Sequence, residues 1–248
     1  MMTRLSVLLF LLSLAATPIR AQQGSKGAAD DAATGGPIAF ALYTVHKGTL
    51  KMTAQLYPEL VEQLGEITLA VERDGIWETV VSSPVTSPAC TAHFRVEPWD
   101  ASRDTRYRLT AGPQTFDGLI RRDPVDSQVI TAAAFTGNSP RRGGGWFPKD
   151  DIVHAIRRID PDVLFFTGDQ VYPHDQHTRH WISFGESFRE LLRNYPAVTI
   201  PDDHDVGHPN LFGAGGRPTT KVEEGGYLKP PSYVNLVQQQ QTWHLPDP

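Results

Sequence analysis

The chain has 248 residues, 40% of them hydrophobic, with a formal net charge of −5 and a pI near 6.0. That length accommodates one large domain or two modest ones. The acidic balance excludes the broad basic field with which a general nucleic-acid binder neutralises phosphates, and a single cysteine, Cys90, excludes an intrachain disulfide.

At the N-terminus, "MMTRLSVLLFLLSLAATPIRAQQ" sets Arg4 before an apolar run from Leu5 to Ala16, with Ala21 as a cleavage point. The run is shorter than the roughly 18 to 20 residues that span a bilayer, so 1–21 reads as a secretory signal peptide. The uncleaved alternative is an N-terminal anchor. No later segment could span a membrane, which gives a secreted or periplasmic protein. Residues 22–37, "QQGSKGAADDAATGGP", are small, polar and glycine-rich and read as a disordered linker.

Short β-prone runs follow between turn formers: "PIAFALYTV", "EITLAVERDGIWETVV", "ACTAHFRVEPW" and "TRYRLTAG". Ile67, Leu69 and Val71 alternate, and "RDG" supplies hairpin chemistry before Ile76 and Trp77. Residues 38–122 therefore read as an antiparallel β-sandwich. Tyr107, after a polar corner, fits either the tyrosine corner of immunoglobulin and fibronectin sandwiches or an ordinary strand tyrosine. Cys90, behind Pro88 and Ala89, reads as a small packed thiol.

Beyond "RRDPVDSQ" the pattern changes. "SQVITAAAFTGN" is a continuous apolar run of the kind found in buried parallel strands. Pro148 opens a helix in which Ile152, Val153, Ile156 and Ile159 share a face. "PDVLFFTGD" is a second strand, "RHWISFGESFRELLRN" a second helix and "YPAVTIPDD" a third strand. The order βαβαβ implies a parallel sheet with helices covering its faces. The fold class is α+β in two domains, with 128–248 as the second. The final stretch from Gly213 is loop-rich.

Polar clusters mark the ends of these three strands: Asn138 in "FTGNSP", Asp169 in "FFTGDQVYPHD", and Asp203 in "TIPDDHD". That edge of an α/β sheet is where ligands bind. Carboxylates, an amide oxygen and imidazole suit hard or borderline cations, which offset the mutual repulsion of the carboxylates. His204 reads as a metal ligand, a general acid or an exposed loop histidine; one residue beyond a metal-bound carboxylate, an imidazolium is placed to stabilise or protonate a leaving oxygen. His174, Asp175, His177 and His180 read as a solvated loop rim. "PRRGGGW" lacks the Lys–Ser/Thr end of a phosphate loop, leaving a flexible loop or a phosphate contact from Arg141 or Arg142.

"GDQVY" after one apolar strand and "DDHDV" after the next resemble the alkaline phosphatase D-like (PhoD-like) members of the metallophosphoesterase superfamily, over roughly residues 38–248. The resemblance implies an immunoglobulin- or fibronectin-like sandwich ahead of a calcineurin-like metallophosphoesterase domain. It implies a two-metal site for a small phosphoester, with iron and calcium, or zinc or manganese, as the ions. By the same resemblance Asp169 bridges the metals, Tyr172 is a phenolate ligand, Asp203 holds the second metal, His204 is catalytic, Asp202 orients and Asn210 lies near the metals. Where the family places a cysteine or aspartate, this chain has Asn138, a poorer ligand for trivalent iron. The superfamily also draws Asp and His ligands from later strands, so the resemblance implies that domain 128–248 is incomplete. The alternative function is an inactive exported binding or structural protein on a partial phosphoesterase scaffold.

Overall fold

The computed structural model describes residues 4–9, 36–138, 149–172, 174–207 and 214–248, without the side chains of 4–9, 174 and 214. Residues 10–21 of the segment read as an export signal, most of the linker, the glycine run with Arg141 and Arg142, Pro148, His208 and Asn210 lie outside the described residues.

The strands in chain order are β1 (Arg4–Leu9), β2 (Ile38–His46), β3 (Thr49–Leu56), β4 (Glu66–Arg73), β5 (Ile76–Pro84) and β6 (Thr91–Val96). They continue as β7 (Thr105–Ala111), β8 (Gln114–Ile120), β9 (Val129–Phe135), β10 (Val163–Phe166) and β11 (Ala197–Thr199). The helices are α1 (Pro58–Val61), α2 (Asp150–Ile159), α3 (His177–Ser187), α4 (Arg189–Leu192) and α5 (Pro231–Val237). Two sheets are antiparallel, ordered β2-β3-β6 and β5-β4-β7-β8; the third is ordered β1-β9-β10-β11 with parallel pairing throughout.

Alternation explains the antiparallel pair. Ala41, Met52 and Phe94 from one sheet meet Ile67, Leu69 and Leu109 from the other in a single buried cluster. β2 departs from simple alternation, because it is buried on both faces. Ala41 and Tyr43 enter that cluster, whereas Phe40 and Leu42 enter a second one with Trp181 and Phe184 of α3 and Leu164 and Phe166 of β10. Its near-continuous apolar sequence is what a two-sided burial demands. Burying a side chain the size of Phe40 or Leu42 contributes about 1.5–3 kcal/mol.

The joint is tight at particular atoms. Phe40 and Trp181 meet edge to face at 5.4 Å, and a Cβ at Gly185 would lie 2.0 Å from the Phe40 ring. Arg193 donates from Nε to Asp117 O at 2.7 Å, while Leu119 N donates to Arg193 O at 3.1 Å. The Tyr43 hydroxyl accepts from Arg121 N at 3.0 Å and donates to Asn194 O at 3.3 Å.

Several expectations are revised. β3 and β8 lie outside the β-prone runs, because "TLKMTAQL" and "QTFDGLI" interleave polar residues with apolar ones, and α1 is an unexpected short helix. The long helix expected over 179–194 breaks into α3 and α4 at Phe188, which has φ −114° and ψ 12°. The loop-rich C-terminal stretch contains α5, starting on a proline, and a π-helical turn over Gln238–Thr242. Among the described residues, helices cover one face of the parallel sheet, not both: Leu164, Phe166 and Ala197 are buried, and Val163, Phe165 and Val198 are half-buried.

Tyr107 is a buried strand residue whose hydroxyl has no hydrogen-bond partner among the described residues, so it makes no tyrosine corner. Cys90 is buried just ahead of β6, and burial pushes its thiol up. Within the segment read as an export signal, β1 pairs with β9 from Arg4–Val129 to Leu9–Ala134.

Candidate metal centre

Three parallel strands end at one edge, and backbone bonds continue the ladder past their ends. Thr167 N donates to Phe135 O and Ile200 N to Phe166 O, each at 2.9 Å. Asn138 N donates to Asp169 O at 2.7 Å. The loops after β9, β10 and β11 are therefore fixed against one another before any side chain is considered.

Two backbone features let the β10 loop close on the β11 loop. Gly168 has φ +108°, and a Cβ there would fall 2.4 Å from Asp202 Cβ. Asp169 has φ +60°, a left-handed conformation that costs a non-glycine residue on the order of 1 kcal/mol. Strain of this kind persists only when surrounding contacts over-determine it.

The over-determining residue is Asp205. Its side chain is fully buried and accepts five N–H groups. Oδ1 receives Gln170 N and Val171 N at 3.1 Å and Gln241 Nε2 at 3.0 Å. Oδ2 receives Asp169 N at 2.7 Å and Asp202 N at 3.0 Å. Burial pushes this carboxyl up to about 6, and the donors restrain the rise. One carboxylate thus organises both ligand-bearing loops. Sequence alone assigns Asp205 no role; the signal that could have found it is the third acid in "DDHD", beyond the Asp202–Asp203 pair.

Asp169, Asp203 and His204 come together, with one ligand atom from each lying within 4.8 Å of the others. All three are half-buried. Asp203 accepts His204 N at 2.8 Å on Oδ1, and Asp202 accepts Asp203 N at 2.8 Å. Asp202 is exposed, so its support reaches the group through the backbone of Asp203. Tyr172 donates its hydroxyl to Asp169 Oδ2 at 2.5 Å, and its ring lies 4.2 Å from that of His204. Burial, and then the bond to Asp169, raises the Tyr172 hydroxyl above its ordinary range, so Tyr172 here is a neutral donor. Asn138 joins this edge through its backbone, with its side chain half-buried.

The other oxygen of Asp169 decides the chemistry. Oδ1 is buried and has no hydrogen-bond partner among the described residues. A buried carboxylate oxygen without a donor costs several kcal/mol unless a cation meets it. Two carboxylates and an imidazole fit a borderline or hard divalent ion, and the residues present fit such a group.

Other histidines lie elsewhere. His177 and His180 are buried in α3, not on a solvated rim, and Tyr233 OH lies 3.1 Å from His177 Nδ1. His244 is buried against β11, where Nε2 donates to Ala197 O at 2.9 Å.

No protein-family model matches the sequence, and no curated protein matches it. Among solved structures, a purple acid phosphatase from yellow lupin (Lupinus luteus) seeds aligns at 13% identity and a TM-score of 0.49. That alignment covers 78% of this chain and 39% of the phosphatase, so this chain spans well under half of its length. A carbohydrate-binding module family 56 β-1,3-glucan binding domain aligns with 32% of this chain and 92% of its own, at 11% identity and a TM-score of 0.24. At these scores the chemistry rests on the site's own geometry.

Proposed function

We propose that this protein is a metal-dependent phosphoester hydrolase of the PhoD-like kind, with an immunoglobulin- or fibronectin-like sandwich ahead of a calcineurin-like domain. The observation that carries the reading is the buried Oδ1 of Asp169, without a donor among the described residues, beside Asp203 and His204 at the strand-end edge. Asp169 and Asp203 are the primary ligands, and the donor set accommodates zinc, manganese, iron or calcium. A bound cation there lowers the pKa of water and offsets charge on phosphoryl oxygens.

The chain's own groups do the rest. His204, half-buried with its ring tilted against that of Tyr172, is held where its imidazole can deliver a proton to a leaving oxygen. Tyr172 is the second-ranked ligand, since its proton is committed to Asp169 Oδ2. Asn138 presents an amide at the same edge. Asp205 keeps both loops in register so that ligand positions are set before a cation arrives.

Export is part of the proposal and rests on Arg4 and the apolar run behind it. Cleavage at Ala21 would remove β1 from the side of β9. Intact mass of the protein collected outside the cytoplasm reports which of the two happens.

The test is direct. Metal-loaded wild type hydrolyses a chromogenic phosphoester, and Asp169→Asn does not; retained turnover removes Asp169 from the chemistry. A noncatalytic binding protein is the second reading, favoured by the neutral Asn138. Its signature is a folded protein that retains no metal after dialysis and cleaves no ester.

A further inference from the structure

A cavity of about 200 Å³ lies between α2 and the parallel sheet. Its floor is aromatic: Phe135 and Phe166 stack at 4.7 Å, and Phe188 meets Phe166 at 5.3 Å. Ile152 and Ile156 of α2 form the opposite wall. Asn138 and Gly168 also line it, so cavity and candidate metal centre share the β9 and β10 loops. The volume exceeds the roughly 150 Å³ of an apolar cavity that admits benzene.

One lining residue does not belong in an apolar cavity. Lys149 is half-buried at its rim, and its ammonium has no ion pair or hydrogen bond among the described residues. Burial alone pushes it down. Asp151 borders the same space but is exposed. A desolvated cation without a partner is stabilised by an incoming anion.

We infer that this cavity seats the organic half of the ester, a flat aromatic or similarly apolar group bearing a negative charge that meets Lys149. The inference rests on the phosphoester reading for its other end, where the phosphate faces Asp169 and Asp203. It makes the cavity a specificity pocket: aromatic stacking accepts the ring, and Lys149 selects charged rings over neutral ones.

The probes are naphthalene-2-sulfonate and uncharged 2-naphthol, titrated calorimetrically into the full chain with and without added zinc. Wild type binds one sulfonate per chain. Lys149→Met weakens the sulfonate at least about tenfold, as expected for loss of a charge-assisted bond, and leaves 2-naphthol within about twofold. Ala155→Trp, which fills the cavity from α2, removes both; Ile152→Trp serves if the first variant loses its circular dichroism spectrum. Equal binding of sulfonate to wild type and Lys149→Met, no binding to wild type, or undiminished binding to a folded cavity-filled variant overturns the inference. Zinc binding measured on the same samples separates the two readings. Zinc retained with no sulfonate binding ends the cavity assignment alone, and sulfonate bound without zinc supports the cavity while ending the metal reading.

Discussion

Replacing Asp205 by Asn tests whether one buried carboxylate holds the ligand loops together. With the amide oxygen in the place of Oδ1, the bonds from Gln170 N, Val171 N and Gln241 Nε2 survive. The NH₂ group then faces Asp169 N and Asp202 N, which lose their acceptor. The flipped amide would lose three acceptor bonds instead, so the first orientation is the less costly. Each unsatisfied amide costs about 1–2 kcal/mol at a partly buried position, which gives a destabilisation of about 2–4 kcal/mol. Urea unfolding of metal-free protein measures it. The two orphaned amides belong to a ligand residue and to its opposite loop, so zinc affinity should also fall by about 10- to 100-fold, the cost typical of a residue supporting a metal ligand. Asp205→Asn with the wild-type urea midpoint and unchanged zinc affinity would refute the account.

Asp169→Asn should weaken zinc in equilibrium dialysis by more than the roughly 10- to 100-fold expected of a supporting residue, while raising metal-free stability, because a charged buried oxygen is removed. Gly168→Ala should lower the urea midpoint and abolish metal retention, since its φ of +108° and the 2.4 Å approach of Asp202 leave no room for a Cβ. Burial holds His244 down to about 3, against about 6.5 in an unfolded chain. Its stabilising contribution is therefore full above about pH 6.5 and is lost as the pH falls toward 3. Between pH 6.5 and 5 the loss is about 2 kcal/mol, at about 1.4 kcal/mol per pH unit. Relative to wild type, His244→Gln should thus gain about that much stability over the same interval in thermal or urea unfolding; a constant difference would mean that His244 takes up its proton equally in the folded and unfolded chain.

The ligand pair was legible because an apolar strand followed at once by acid is a strong local pattern, and it recurs at Phe166–Asp169 and Thr199–Asp203. β2 was legible as a strand, but not as a wall of two cores; that needs Trp181 and Phe184 to arrive from far along the chain. The C-terminal helix was hidden for a different reason. Gln240 and Gln241 are buried polar residues that answer to Ala89 O and Asp205, and no periodicity of apolar residues announces such positions. His177 and His180 misled in the opposite sense, since histidines beside a proline turn resemble a solvated rim, yet both are buried and Tyr233 from α5 packs against His177.

Three acids in four residues, Asp202, Asp203 and Asp205, looked like a single electrostatic problem, and the fold divides it into three. Asp202 faces solvent, where water screens it. Asp205 turns fully inward and is met by five donors, an arrangement in which its charge needs no ion. Asp203 turns toward Asp169, bringing a second carboxylate to a group whose Oδ1 has no donor among the described residues. Two carboxylates held so close repel each other, and Tyr172 satisfies only the far oxygen of one. The strain at Asp169 and the close approach at Gly168 both act to enforce that proximity. A fold that needed only a tidy strand end would have spread these charges. Concentrating them, and spending Asp205's bonds to keep them concentrated, is explicable when a cation completes the group.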